Sequence, residues 1–190
     1  MPGDGLRPIL IVLIDGYADW ETALISAHAR QGHAMALRHA TPGGGRVSSM
    51  GGLAGADLPD VVVQGDEVIV LCGGDGWAAG AAPALDPLLI AAHRRGQVIA
   101  AISGATLALA RNGLLDRLRH TSDAAGFLAG HAPGYRGGDF YTDRPYAVRD
   151  RGIITAPGTA PVSFAAEVLA AAGLPANKVA DFRKIMAREH

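Results

Sequence analysis

The sequence predicts an α/β protein with a mainly parallel central sheet covered by helices on both faces. Three observations carry this. Short runs of almost wholly apolar, β-branched residues recur, Ile9 to Ile14 and Glu67 to Cys72 among them. Such runs mark strands buried on both faces rather than half-exposed ones. Helical patterns closed by glycine follow these runs, and strands alternating with helices make βα units of a parallel sheet. Finally, 49% of the residues are hydrophobic but only 5% aromatic, with 26 glycines, which suits helices packed closely on a sheet.

In chain order, Ile9 to Ile14 is expected to be a central strand, turning at Asp15-Gly16 into a helix from Trp20 to Arg30, capped by Asp19 or its neighbour and stopped at Gly32. Ala34 to Ala40 alternates as a second strand. Thr41 to Leu58 is rich in Gly, Ser and Asp and is expected to form loops or a short hairpin outside the core. Glu67 to Cys72 is the next buried strand, broken by Gly73-Gly74, and Leu85 to Arg95 is an amphipathic helix ending at Gly96. Gln97 to Ile102 and Gly104 to Asn112 repeat the strand and helix, and the segment after them is expected to return to the sheet as a further strand near His120. Gly130 to Asp143 is irregular enough to be a binding loop or lid. Val148 to Thr155 brackets a tight turn at Arg151-Gly152, and helices Ala160 to Ala172 and Ala176 to Arg188 close the chain.

With 190 residues and no repeat or low-complexity linker, one domain spanning 1–190 is expected. A net charge of -1 without like-charge runs gives no footprint for nucleic acid or an anionic membrane. The opening MPGDGLRP lacks the pattern of an export signal, Ile9 to Ile14 is too short to span a bilayer, and the one cysteine, Cys72, excludes an internal disulfide, so a cytoplasmic location is expected. The histidines lack metal-ligand spacing, and neither a metal nor a cofactor is expected.

The segment Val98 to Leu109 carries the sharpest chemical signal. Ser103 lies between a buried strand and a helix, followed by the small pair Gly104-Ala105, as at a nucleophile elbow, where an apical side chain leaves the sheet and the following helix favours negative charge. The competing reading is a helix-capping serine. Gly74 and Gly104 could present two N–H groups to a developing oxyanion, or simply end a strand and open a helix. Glu21, in a first helical turn, either enters the cleft and holds a proton near neutral pH or faces water as a dipole-complementing charge. His120 is a candidate base or a structural histidine, and Cys72 reads most simply as a small core residue.

The motifs Asp15-Gly-Tyr-Ala-Asp-Trp-Glu21, Cys72-Gly-Gly-Asp-Gly-Trp77, Ala101-Ile-Ser-Gly-Ala-Thr106 with Leu114-Leu-Asp116, His120-Thr-Ser-Asp123 and Ile154-Thr-Ala-Pro-Gly158 together resemble the DJ-1/PfpI superfamily over nearly the whole chain, in its bacterial class I glutamine amidotransferase-like branch. The resemblance implies a flavodoxin-like three-layer sandwich and a homodimer. It places a nucleophile at Ser103, an acid at Glu21 and an oxyanion hole at Gly74 and Gly104. Where relatives carry histidine or asparagine, this chain has Asp123, with His120 three residues earlier.

The family's elbow residue is cysteine, so Ser103 is a departure. A thiol at a helix N-terminus ionises readily, whereas a serine hydroxyl stays neutral at pH 7 and needs a base. Three origins fit: an engineered Cys→Ser replacement, a natural serine enzyme, or a natural protein that has lost catalysis. The resemblance accordingly implies either an enzyme acting on a small carbonyl, imine, isonitrile or amide as hydratase, hydrolase or lyase, or a non-catalytic stress-response or regulatory protein.

Overall fold

The computed structural model of the chain describes residues 5–53 and 57–189. The expectations for residues 1–4 and for 54–56, within the Thr41 to Leu58 segment, lie outside the described residues. Six strands form one sheet: β1 (Ile9–Val12), β2 (Leu37–Ala40), β3 (Val68–Leu71), β4 (Ile99–Ile102), β5 (Val148–Asp150) and β6 (Ile153–Ala156), in the order β2-β1-β3-β4-β6-β5. Every pairing is parallel except β5 with β6. The helices are α1 (Asp19–Ala27), α2 (Asp86–Arg94), α3 (Thr106–Arg111), α4 (Phe127–His131), α5 (Pro161–Ala171) and α6 (Ala176–Met186).

The apolar runs become strands because their alternate side chains enter two different cores. Ile9, Ile11, Val68, Val70, Ala100, Ile102 and Ile154 pack with Ile25 of α1, Phe164 and Leu169 of α5 and Phe182 of α6. Leu10, Val12, Ile69, Leu71, Ile99, Ala101 and Ile153 pack on the opposite face with Leu89 of α2, Leu107 and Leu109 of α3 and Leu128 of α4. The result is the expected flavodoxin-like sandwich, with helices on both faces of the sheet. Among the described residues no helix is long and apolar enough to cross a membrane.

Several local expectations are corrected. Part of the Thr41 to Leu58 segment does reach the core: Val47 is buried in the α1 side of the sandwich, because Asp15 Oδ1 accepts the Ser48 N–H at 2.7 Å and the Gly16 N–H donates to Ser48 O at 2.7 Å, drawing the loop onto the sheet edge. The segment after α3 does not return as a strand; His120 makes only an isolated bridge to Tyr141. Gly130 to Asp143 contains the end of α4 and a 3₁₀ turn at Gly138–Phe140. None of its residues lines the cavity at the elbow. Asp19 does not cap α1 but is its first residue, and Ala18 occupies the cap without a side-chain hydrogen bond.

The β5-β6 turn forms as expected, with φ +42° at Arg151 and +88° at Gly152. Two positive φ values match the twist of an antiparallel hairpin. Gly152→Ala should therefore cost about 1–2 kcal/mol through left-handed strain, read as a lower urea midpoint. An unchanged midpoint would refute the strain argument.

Candidate active site

Four parallel strands, β1, β3, β4 and β6, deliver their carboxyl ends to one edge of the sheet, the position where open α/β sheets bind ligands. From β4 the chain turns at Ser103, whose φ of +54° is rare for a residue with a side chain. Such strain persists only where surroundings over-determine it. Here Thr106 Oγ1 donates to Ser103 O at 2.7 Å and itself meets Ser122 Oγ at 2.7 Å. Ser103 is not at a cap position: it opens the 3₁₀ turn Ser103–Ala105, whose cap is Ile102, and the cap of α3 is Ala105. That position decides against the capping reading, and the hydroxyl donates to Asp123 Oδ2 at 3.1 Å.

Glu21 enters the cleft rather than solvent; it is 1% exposed. Its Oε2 accepts the Gly73 N–H at 2.7 Å. Burial pushes its carboxyl up to about 7 against an ordinary 4.5; the Gly73 N–H and the Ser103 hydroxyl oppose the rise and the Asp123 charge adds to it. The serine hydroxyl thus lies between two acids, with its directed bond to Asp123.

Two glycines close over this pair because nothing larger fits. A Cβ at Gly73 would stand 2.8 Å from Ser103 Cβ and 2.8 Å from Glu21 Oε1, and one at Gly158 would stand 2.9 Å from Glu21 Oε1 and 3.1 Å from Ser103 Oγ. The Gly158 peptide is bonded on both sides: its N–H donates to Asp123 Oδ1 at 2.8 Å, and its carbonyl accepts Trp20 Nε1–H at 3.1 Å. The loop after β6 is therefore a strap that orients Asp123 and pins an indole.

Gly74 and Gly104 also line the cleft, in close backbone contact: a Cβ on Gly104 would come 2.9 Å from the Gly74 carbonyl oxygen, which accepts the Trp77 N–H at 3.3 Å. The cleft is a cavity of about 280 Å³. Trp20, Met50 and Phe127 line it beside Glu21, Ser103 and Asp123.

His120 is not brought to this group. It is fully buried, with Nδ1 on the Leu118 carbonyl at 2.7 Å and Nε2 on Tyr135 Oη at 2.6 Å, and burial lowers its pKa. Cys72 lies just below the cleft, sealed from solvent, its thiol donating to the Ala18 carbonyl at 3.4 Å; burial pushes it up to about 12, so it stays a neutral thiol.

Sequence reasoning missed Trp20, Met50 and Phe127. The signal for Trp20 was its place beside Glu21, a large apolar residue next to a candidate acid in the first turn of a helix. Met50 was a lone long apolar side chain within Ser48-Ser-Met-Gly-Gly52.

A strained elbow, a buried acid and a glycine strap meet at the carboxyl edge of a parallel sheet, in an α/β protein with a cleft formed around one turn. The model of the DJ-1/PfpI family matches residues 7–171, and the chain belongs to that family. It is 32% identical over 173 residues to "Uncharacterized protease YoaZ" of Bacillus subtilis, covering 86% of this chain and 82% of that protein. The solved structure of a DJ-1 superfamily protein from Agrobacterium tumefaciens is 38% identical, with a TM-score of 0.90 over 97% of this chain and 100% of that one. A thiJ/pfpI family protein from Bacillus anthracis superposes with a TM-score of 0.86 at 26% identity, over 98% of this chain and 94% of that one.

Proposed function

We propose that the protein is an enzyme that adds water to a small carbonyl, imine or isonitrile-like carbon by acid–base catalysis. The observation that carries this reading is the buried Glu21 carboxyl, with a pKa of about 7, beside a serine whose hydroxyl donates to a second acid at 3.1 Å. A general acid is most effective when its pKa lies near the working pH.

A serine-alkoxide mechanism needs a strong base, and the histidine expected for that role is tied to Tyr135. Ser103 therefore orients the attacking water. For a carbonyl, the water oxygen forms the new bond to carbon, the Asp123 carboxylate takes a proton from that water, and the π electrons move to the carbonyl oxygen. Protonated Glu21 supplies a proton to that oxygen. The N–H groups of Gly74 and Gly104 stabilise the charge as it develops. In the product the proton gained by Asp123 returns to Glu21 through the Ser103 hydroxyl or solvent. Amide hydrolysis is the second reading, favoured by the Ser103–Asp123 bond.

A panel of small aldehydes, imines, isonitriles and amides tests the assignment. Turnover should fall as pH rises through about 7, because the acid form of Glu21 is lost. Asp123→Asn should lower kcat by about 10²-fold, the usual worth of a positioned proton acceptor. Turnover that ignored both the pH and Asp123→Asn would overturn the assignment.

A further inference from the structure

Resting on that acid–base reading, we propose that the cleft selects a neutral carbonyl compound bearing a flat apolar group, held on a platform of Trp20 and Met50, and rejects carboxylates and phosphates. Each half of the statement stands on separate observations.

The platform stands on backbone and side-chain bonds of the protein itself. Trp20 is 51% exposed and Met50 43% exposed, the first with its side chain bonded and the second on a loop whose backbone is held. The indole is fixed through its Nε1–H to Gly158 O. Met50 lies on a loop clasped to the start of α1: its N–H donates to Tyr17 O at 2.8 Å, and the next N–H, of Gly51, donates to Asp19 Oδ2 at 2.7 Å. A Cβ on Gly51 would come 2.8 Å from that oxygen, so glycine is what permits the clasp. Three successive residues thus do three jobs at one mouth. Asp19 holds the Met50 loop, Trp20 joins the strap, and Glu21 carries the exchangeable proton. A fixed aromatic surface and a thioether beside it, both open to solvent, gain free energy when an apolar ring covers them.

The charge pattern supplies the second half. Glu21, Asp75 and Asp123 line the cavity, whereas none of its described lining residues is Lys, Arg or His. A full carboxylate or phosphate charge there meets Asp75 and Asp123 with no cation to pair it, and the Gly74 and Gly104 N–H groups, suited to a charge that develops on a neutral head, are all that oppose the repulsion. A neutral head, by contrast, can accept the Glu21 proton.

Binding of three probes, followed by NMR titration at pH 6, where Glu21 holds its proton and benzoate is still charged, tests the inference without turnover. Benzamide carries the neutral carbonyl and the ring, acetamide lacks the ring, and benzoate carries a charged head. Benzamide should bind at least about tenfold tighter than either. Trp20→Ala should weaken benzamide by about tenfold and leave acetamide within about twofold, while Trp20→Phe, which keeps a ring but loses the bond to Gly158, should retain most of the benzamide affinity. Met50→Ala, on a loop held by backbone bonds, should also weaken benzamide selectively. Benzoate binding as tightly as benzamide, no benzamide binding at millimolar concentration, or equal losses for benzamide and acetamide would overturn the inference. Failure of the acid–base reading would look different: ring-dependent binding would persist while turnover lost its dependence on pH and on Asp123.

Discussion

Glu21→Gln should lower kcat on a small carbonyl substrate by about 10²–10⁴-fold, the range expected for removing a general acid, while making the folded protein more stable above pH 7. The sign follows from the proton balance. The folded state holds the Glu21 proton up to about pH 7, whereas the unfolded chain releases it near 4.5. Its contribution is therefore fully present below pH 4.5 and is lost as pH rises through 7. Above that, the native state must carry a charge shut away from water, with the Gly73 N–H as its principal partner and the Asp123 charge nearby. A neutral glutamine avoids this charge and can still accept the Gly73 N–H through its amide oxygen. Wild type and variant should thus unfold at similar denaturant concentrations near pH 4.5, and the variant should lead by about 3 kcal/mol at pH 8. Urea titrations at four pH values check this, and parallel stability profiles would show that Glu21 is not desolvated as described.

The divergence between activity and stability in that variant would also explain why the site was only partly legible in the sequence. The sheet was legible because a strand covered on both faces needs apolar residues at every position, and Ile9 to Ile14 and Glu67 to Cys72 satisfy that locally. The elbow was legible for a similar reason, since a strand meeting Ser-Gly-Ala has few ways to continue. What was not legible depends on partners distant in the chain. Whether Glu21 faced water or cleft was settled by Gly73 and Gly158, 52 and 137 positions away. Ser103 as a cap was equally reasonable, but the turn puts Ile102 and Ala105 at the cap positions and the Ser103 hydroxyl on Asp123. His120 followed the elbow by a short connection, but burial against Leu118 and Tyr135 satisfied both ring nitrogens away from the cleft. The Met50 loop looked dispensable because Gly, Ser and Asp are common in solvated loops; here Asp15 and Asp19 use those same residue types to fasten it.

Gly73→Ala should be the most disruptive single methyl in the molecule's chemistry. The new Cβ would fall 2.8 Å from both Ser103 Cβ and Glu21 Oε1. Ser103 cannot retreat easily, because its backbone is already strained at φ +54° and tied through Thr106. Glu21 is the group that must move, and it would lose the Gly73 N–H as it did so. Overpacking of this kind costs about 1–3 kcal/mol, and a displacement of roughly 1 Å at a reacting group costs about 10²-fold in rate. The two losses should separate in a double-mutant cycle. In a Glu21→Ala background the stability cost of Gly73→Ala should shrink, because two of the three atoms nearest the methyl belong to the carboxylate that is gone and the third is Ser103 Cβ. Additive costs in denaturant titrations would mean that the strain falls on the β3 backbone instead. In that case glycine at 73 would be required by the turn itself and not by the acid it holds.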